Sequence, residues 1–148
     1  MYIDLTNLTN FNVDTSRLEA LAEFCISQFG IHPDSELSIS LVDEEEMSSL
    51  HMQWLNESGP TDVLSFPIDE IKPNSSTDGP GLLGDIVLCP NYAKKQAKDI
   101  GHSLQDELEI LFVHGVLHLL GFDHRENAEK TAMFSRQDKI LREWRCRP

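Results

Sequence analysis

The chain has 148 residues, enough for one domain with a sizeable core and too few for two. Its 40% hydrophobic and 25% charged residues are ordinary for a soluble globular protein, and its longest apolar run is too short to span a bilayer. A formal net charge of −13 argues against general polyanion binding, and three widely spaced cysteines argue against a disulfide framework. No basic, apolar leader is visible at the start, so we expect a cytoplasmic protein with reduced thiols.

Hydrophobic periodicity and capping residues divide the chain into alternating strands and helices. Alternation or short apolar runs predict strands at 1–8, 36–42, 61–67 and 82–89. Helical spacing between start and stop residues predicts helices at 14–29, 43–56, 91–100, 103–120 and 127–144. The polar residues 69–81, rich in Pro, Ser and Gly, predict a loop. We therefore expect residues 1–148 to form a single α+β domain, in which a small mixed sheet of about four strands packs with about five helices.

Basic residues are concentrated near the end of the chain. Seven of the 12 Lys and Arg residues lie at 125–148, against four acidic residues there. Lys94, Lys95 and Lys98 form a second cluster. Either group is a candidate for contacts with a nucleic-acid backbone, although a charged helix face is more often only solvated.

Three histidines mark the end of the fourth predicted helix and the turn that follows it. His114 and His118 are four residues apart, so their imidazoles lie on one face of a helix. Gly121 favours the left-handed conformation that ends helices, which lets His124 reach the same point. One histidine on a buried helix is usually a core residue. Two at helical spacing, followed by a third, instead predict an open site for one Zn²⁺.

The residue after His114 narrows the chemistry of this site. The spacing from His114 to His124 matches the zinc-protease motif His-Glu-x-x-His-x-x-Gly-x-x-His, but Gly115 replaces the glutamate. Peptidases use that carboxylate as a general base beside the metal. Ordinary metalloprotease chemistry is therefore not expected.

Several other residues are weaker site candidates. Asp85 interrupts an apolar run, and it either bonds neighbouring backbone or acts in catalysis by holding a metal-bound histidine. Asp123 either caps the turn at Gly121 or moves a proton. A purely structural zinc ion would need a fourth ligand, for which His51 and His102 are the remote candidates.

Three stretches resemble the YbeY-type metal-dependent endoribonucleases, which are ribosomal RNA maturation factors. They are His-Gly-Val-Leu-His-Leu-Leu-Gly-Phe-Asp-His at 114–124, Pro-Thr-Asp-Val-Leu-Ser-Phe-Pro at 60–67 and Leu-Gly-Asp-Ile at 83–86. The resemblance implies an α+β fold, a cytoplasmic location and one zinc ion held by His114, His118 and His124. It also implies cleavage of single-stranded RNA in ribosomal RNA processing and ribosome quality control. The implied partners are precursor ribosomal RNA and the ribosome or its small subunit.

One position departs from the family pattern. Many relatives carry an arginine directly after the aromatic residue that precedes the Pro-Thr pair, whereas Leu55 follows Trp54 here. Arg125 is then the candidate for the contact with the substrate phosphate.

The mechanism that this site suggests is metal-assisted phosphodiester cleavage. Zinc polarises a phosphoryl oxygen and lowers the pKa of bound water, which removes the need for a glutamate at position 115. The nucleophile is either that water or the 2′-hydroxyl of the RNA. Two alternatives stay open: a metallohydrolase for another substrate class, which Gly115 disfavours, and a ribosome-associated factor with a structural zinc ion.

Overall fold

The structure is a computed structural model that describes residues 2–123 and 126–147. The strands are β1 (Tyr2–Asn7), β2 (Glu36–Leu41), β3 (Val63–Pro67) and β4 (Leu82–Leu88). The helices are α1 (Thr15–Gln28), α2 (Glu44–Leu55), α3 (Pro90–Ile100), α4 (Leu104–Leu119) and α5 (Asn127–Arg145), with a 3₁₀ turn at Ser76–Asp78. Each predicted strand and helix is confirmed. The first residue of the first predicted strand, Met1, lies outside the described residues.

The four strands form one mixed sheet in the order β1-β2-β4-β3. Strands β1, β2 and β4 are parallel, and β3 runs antiparallel to β4 at one edge. Strand β4 therefore lies inside the sheet, which explains its nearly continuous apolar sequence. Gly84 permits the close approach of β3, because a Cβ atom at this position would lie 2.2 Å from the carbonyl oxygen of Phe66. The predicted α+β fold with a small mixed sheet is confirmed.

Side-chain caps start three of the helices, as the sequence predicts. Asp14, Asp43 and Ser103 each accept a hydrogen bond from the backbone N–H three residues later, at 3.0, 2.8 and 3.1 Å respectively. Each cap satisfies one amide that the first helical turn leaves without an intrahelical partner. The acidic residues after Asp43 occupy the first turn of α2, where the helix dipole favours negative charge.

The main hydrophobic core lies between one face of the sheet and helices α1, α4 and α5. Helix α4 is its centre, because it packs against β3 and β4 and against three other helices, α1, α3 and α5. From Leu111 to Leu120 every residue is buried except His114 and His118. The apolar spacing of α5 predicts that Ala132, Met133, Ile140, Leu141 and Trp144 face the core. All are buried except Ala132, which lies on the solvent side of the helix.

Helix α2 covers only part of the opposite face of the sheet. Met47 of α2 packs there with Leu64 and Val87 in a second, smaller cluster. The remainder of this face lines a surface cavity, in which Ser38 and Asp85 are neighbours across β2 and β4. One face of the sheet is thus packed against α1, α4 and α5, and the other is only partly covered. Asp85 lies on the partly covered face, away from α4.

The cysteines and the helices agree with the expectations from composition. Cys25, Cys89 and Cys146 are free thiols. Within residues 2–123 and 126–147, no helix combines the length and the apolar character that a membrane span requires.

Candidate metal site and substrate groove

Helix α4 presents two imidazoles to the same point, as their spacing predicts. The Nε2 atoms of His114 and His118 lie 3.1 Å apart, and their ring centroids are 4.7 Å apart with the planes at 78°. Both side chains are partly exposed on a helix whose neighbouring residues are buried. The local sequence therefore places two nitrogen ligands at the surface of the core.

Gln137 of α5 fixes the state of the first imidazole. Its Oε1 atom lies 2.9 Å from Nδ1 of His114 and accepts a hydrogen bond from the Nδ1–H group. In a neutral imidazole with hydrogen on Nδ1, the Nε2 atom carries a lone pair, which is the form that binds metals. Gln137 is buried, so this contact is held by the packing of α5 on α4. Sequence analysis missed this residue.

The two facing nitrogens fit a zinc ion. Two ligand nitrogens at about 2.0–2.1 Å from a tetrahedral zinc ion lie roughly 3.3 Å apart. The observed separation of 3.1 Å between His114 and His118 needs only a small adjustment to reach that value. A polar group that orients the other nitrogen of a ligating histidine, as Gln137 does for His114, is typical of metal sites.

Gly115 is the point at which α4 presses against the sheet. A Cβ atom at this position would lie 3.0 Å from Oγ of Ser65 and 3.3 Å from Cγ2 of Ile86. Ser65 also donates a hydrogen bond to the carbonyl oxygen of Gly115 at 3.2 Å. A side chain at this position would require Ser65 or Ile86 to shift by a few tenths of an ångström. The packing thus favours glycine over a glutamate here.

The histidine pair lines a groove of about 900 Å³ between α4, α5, α2 and β3. The acidic residues in its wall are Glu57, Asp62 and Asp123, and its aromatic residues are Phe122 and Phe134. The ring of Phe134 lies 5.7 Å from that of His114. His51 and Leu55 of α2 also line this groove, whereas the other remote ligand candidate, His102, does not line it. Among the described residues, no Lys or Arg belongs to the wall of the groove.

Two cations lie at the rim of the groove, beside the turn that ends α4. The guanidinium of Arg136 lies over the ring of Phe122, 5.3 Å from its centroid. Nζ of Lys72 lies against Gly121, 2.7 Å from where a Cβ atom would be, and the φ of +93° at Gly121 also favours glycine. Arg136 belongs to the C-terminal basic cluster noted in the sequence, whereas Lys72 was not singled out, because it comes from a loop distant in the chain.

Asp62, in the wall of the groove, and the buried Glu107 of α4 are close enough to interact electrostatically. Asp62 accepts hydrogen bonds from the Val63 amide at 2.8 Å and from Nε2 of Gln96 at 3.3 Å. Glu107 is buried, and among the described residues its Oε2 atom has no hydrogen-bond partner. Burial raises the pKa of Glu107, and the charge of Asp62 raises it further, while His102 lowers it.

Asp85 does not lie with the histidines. Its neighbour Ile86 faces Gly115 of α4, and side chains alternate along a strand, so Asp85 projects from the opposite face. There it lines the separate cavity beside Ser38. The structure gives no geometric support to the predicted catalytic role of Asp85, whereas Asp123 does line the groove.

Two of the predicted site residues, His124 and Arg125, lie outside the described residues. In the part of the chain that the structure describes, no group of three or more His, Cys, Asp or Glu side chains is arranged to hold one metal ion. The three-histidine zinc site and the phosphate contact of Arg125 therefore stay predictions.

The basic clusters noted in the sequence are largely engaged with their own chain. Lys95 forms an ion pair with Glu44 at 2.8 Å, and the ammonium of Lys94 lies over the ring of Phe11. Near the end of the chain, the guanidinium of Arg147 lies over the ring of Trp144. Arg136 reaches the rim of the groove among those residues of the C-terminal cluster that the structure describes.

Comparison with known proteins gives the family. A family model described as endoribonuclease YbeY matches residues 4–145. The chain is 50% identical to endoribonuclease YbeY of Thermobifida fusca, covering 98% of this chain and 95% of the relative. It is 50% identical to that of Acidothermus cellulolyticus, with 99% and 93% covered, and 49% identical to that of Mycolicibacterium gilvum, with 97% and 83% covered.

The fold has a counterpart among solved structures. The solution structure of TM1509 from Thermotoga maritima superposes with a TM-score of 0.64 at 28% identity, covering 99% of this chain and 93% of the other. The family resemblance expected from the histidine, Pro-Thr-Asp and Leu-Gly-Asp motifs is confirmed over nearly the whole chain. The chain belongs to the endoribonuclease YbeY family.

Proposed function

We propose that this chain is a zinc-dependent endoribonuclease that cuts single-stranded RNA in the cytoplasm. It acts in the processing and maturation of ribosomal RNA and in ribosome quality control, on the ribosome or its small subunit. The name carried by its relatives supports RNA cleavage. The observation that carries the chemistry is the pair of facing Nε2 atoms of His114 and His118 in an open groove.

One zinc ion per chain would be held by His114, His118 and His124. When bound, the ion supplies Lewis-acid chemistry that polarises a phosphoryl oxygen and lowers the pKa of water. Gln137 keeps the hydrogen of His114 on Nδ1, so that Nε2 is the ligating atom.

The groove has the features that bind a single-stranded nucleic acid. Phe122 and Phe134 offer ring faces in its wall, on which unpaired bases stack. Arg136 and Lys72 place positive charge at its rim, where phosphates pass. These two cations favour a polyanion at the rim, against the three acidic residues of the groove wall and the net charge of −13.

The two alternative functions fit the groove less well. A peptidase needs a carboxylate beside the metal, whereas this chain has Gly115 at that position, packed closely against Ser65 and Ile86. A structural zinc ion is normally enclosed by four protein ligands, whereas His114 and His118 line an open groove.

The test is cleavage of a labelled single-stranded RNA by the wild type and by His114→Ala, with a matched double-stranded RNA as second substrate. We expect His114→Ala to lose at least about 100-fold in cleavage rate, because it removes both a metal ligand and the contact with Gln137. His102→Ala is the matched control, since His102 is exposed and does not line the groove.

Equal cleavage by the wild type and His114→Ala would identify a contaminating nuclease and refute the proposal. The ends of the products identify the nucleophile. A 2′,3′-cyclic phosphate means attack by the 2′-hydroxyl of the RNA, with departure of the 5′-oxygen. Direct hydrolysis by water instead gives one phosphorylated end and one hydroxyl end without a cyclic product.

A further inference from the structure

His51, which also lines the groove, has surroundings that resemble an occupied anion site. His51 of α2 is almost buried, with 11% of its side chain exposed, and it lines the groove with His114 and His118. Its Nδ1 atom lies 3.0 Å from the carbonyl oxygen of Gly59. Its Nε2 atom lies 2.9 Å from Oε2 of Glu57. Both ring nitrogens therefore face oxygen acceptors.

These contacts determine the hydrogens on the ring. A carbonyl oxygen only accepts hydrogen bonds, so Nδ1 of His51 donates to Gly59. An ionised carboxylate also only accepts, so Nε2 of His51 donates to Glu57. An imidazole with hydrogen on both nitrogens is a cation. The segment after α2 thus holds the ring by its Nδ1 edge and directs its Nε2 atom at an anion.

The anion that now occupies this position is loosely held. The side chain of Glu57 is 66% exposed and can turn into solvent, and an ion pair with such an exposed partner is weak. The ring of His51, in contrast, is held by α2 and by the carbonyl of Gly59. The Nε2 donor of His51 is therefore fixed in place, whereas the Glu57 carboxylate that accepts from it can be replaced by another anion.

We propose that His51 binds a phosphate of the RNA substrate through its Nε2–H group, and that the Glu57 carboxylate occupies this position until RNA displaces it. The inference rests on the proposed function, because it requires an RNA in this groove. Among the described residues that line the groove, His51 is the cation-forming side chain outside the predicted zinc ligands. A phosphodiester oxygen accepts the same hydrogen bond as the carboxylate and brings the same charge.

Binding is measured with a fully 2′-O-methylated single-stranded 12-mer RNA, by fluorescence anisotropy at fixed salt, with the integrity of the oligonucleotide checked on a gel. Glu57→Gln removes the competing charge, and we expect the dissociation constant to fall about threefold. His51→Asn keeps a donor for Gly59 but loses the outward N–H group, and we expect binding to weaken about tenfold. In the His51→Asn background, Glu57→Gln should bring no gain.

The matched control is Glu45→Gln, which removes the same charge from an exposed position in the first turn of α2. It should change binding by less than about 1.5-fold, as expected for a screened charge outside the groove. A gain in Glu57→Gln cannot result from misfolding. Its absence in the His51→Asn background separates the loss of competition at His51 from the loss of a repulsive charge in the groove wall. With natural RNA, His51→Asn should raise KM more than it lowers kcat.

Two results would overturn the inference: equal binding by Glu57→Gln and Glu45→Gln, or wild-type affinity in a folded His51→Asn protein. If the enzyme cleaves RNA while these variants bind alike, the inference on His51 fails and the proposed function stands. If the wild type neither binds the 12-mer nor cleaves RNA, both fail.

Discussion

Helix α4 carries two polar clusters that differ in burial: one is enclosed by the chain, and the other lines a groove. Near its start, the fully buried carboxylate of Glu109 accepts hydrogen bonds from Arg17 at 2.7 Å and from Gln105 and Trp144 at 3.1 Å each. Two turns further on, His114 and His118 direct their Nε2 atoms at each other in a groove. The first cluster is closed by its own chain, and the second is open to a ligand.

The closed cluster joins three helices, because Arg17 belongs to α1, Glu109 to α4 and Trp144 to α5. The guanidinium of Arg17 also lies 5.0 Å from the Trp144 ring centroid. The hydrogen bond to Glu109 raises the pKa of Arg17. A buried charge pair is costly to break because the remaining group loses its partner, whereas the facing histidine nitrogens lie where a ligand from solvent can reach them. The two clusters should therefore respond differently to substitution.

The largest effect on stability is expected at the closed cluster. Glu109→Ala leaves the buried N–H of Trp144 without its acceptor and should lower the free energy of unfolding by about 1–3 kcal/mol. The charged partner Arg17 is 43% exposed and can be hydrated, so no unpaired charge is left buried. Cleavage of RNA per folded molecule should not change, since Glu109 does not line the groove. Urea unfolding and an active-fraction assay measure the two quantities. Loss of activity at unchanged stability would show that the cluster is not structural.

The next effect is expected at the link between α5 and the open cluster. Gln137→Leu keeps the buried volume but removes the acceptor for Nδ1–H of His114, and zinc affinity should fall about 10–100-fold. Gln137→Glu keeps the acceptor and should keep wild-type affinity or exceed it. Competition with a coloured chelator measures both. Equal affinities for the wild type and Gln137→Leu would exclude an orienting role for this residue.

The smallest effect is expected at Glu107, the buried carboxylate that lies two residues before Glu109 and lacks its full set of partners. Burial raises the pKa of Glu107 in the folded chain, so ionisation costs stability as the pH rises through that pKa. Glu107→Gln removes this cost and should stabilise the protein near neutral pH. The gain should vanish below the ordinary pKa of a glutamate, where both side chains are neutral.

Urea unfolding of Glu107→Gln at about pH 4 and about pH 8 makes this comparison. A variant that is less stable than the wild type at the higher pH would mean that the charge of Glu107 has a stabilising partner. Either result distinguishes Glu107 from Glu109, whose carboxylate is surrounded by donors.

Local patterns in the sequence are sufficient to predict the helices and strands and the facing of two of the predicted zinc ligands. The caps at Asp14, Asp43 and Ser103 act within one helical turn, so their effects could be predicted without tertiary structure. The facing of His114 and His118 likewise follows from helical spacing alone. The sequence predicts a mixed sheet, but it does not predict the order of the strands or which of them run parallel.

The positions that could not be predicted from the sequence, those of Asp85, Gln137 and Lys72, depend on packing between distant elements. The face from which Asp85 projects depends on which side of β4 receives α4, and β4 is apolar on both sides. Gln137 reaches His114 because α5 runs back along α4, and Lys72 reaches Gly121 from the loop between two strands. Neither contact leaves a periodic signal in the sequence.

We propose that His114, His118 and His124 together hold one zinc ion. The zinc content of the purified protein is the most direct measure of this site. Zinc should be measured per chain after dialysis in the wild type, His118→Ala, His124→Ala and His102→Ala. We predict about one zinc ion in the wild type and in His102→Ala, and a nearly complete loss in the other two variants. Full zinc content in His118→Ala or His124→Ala, or none in the wild type, would contradict the account.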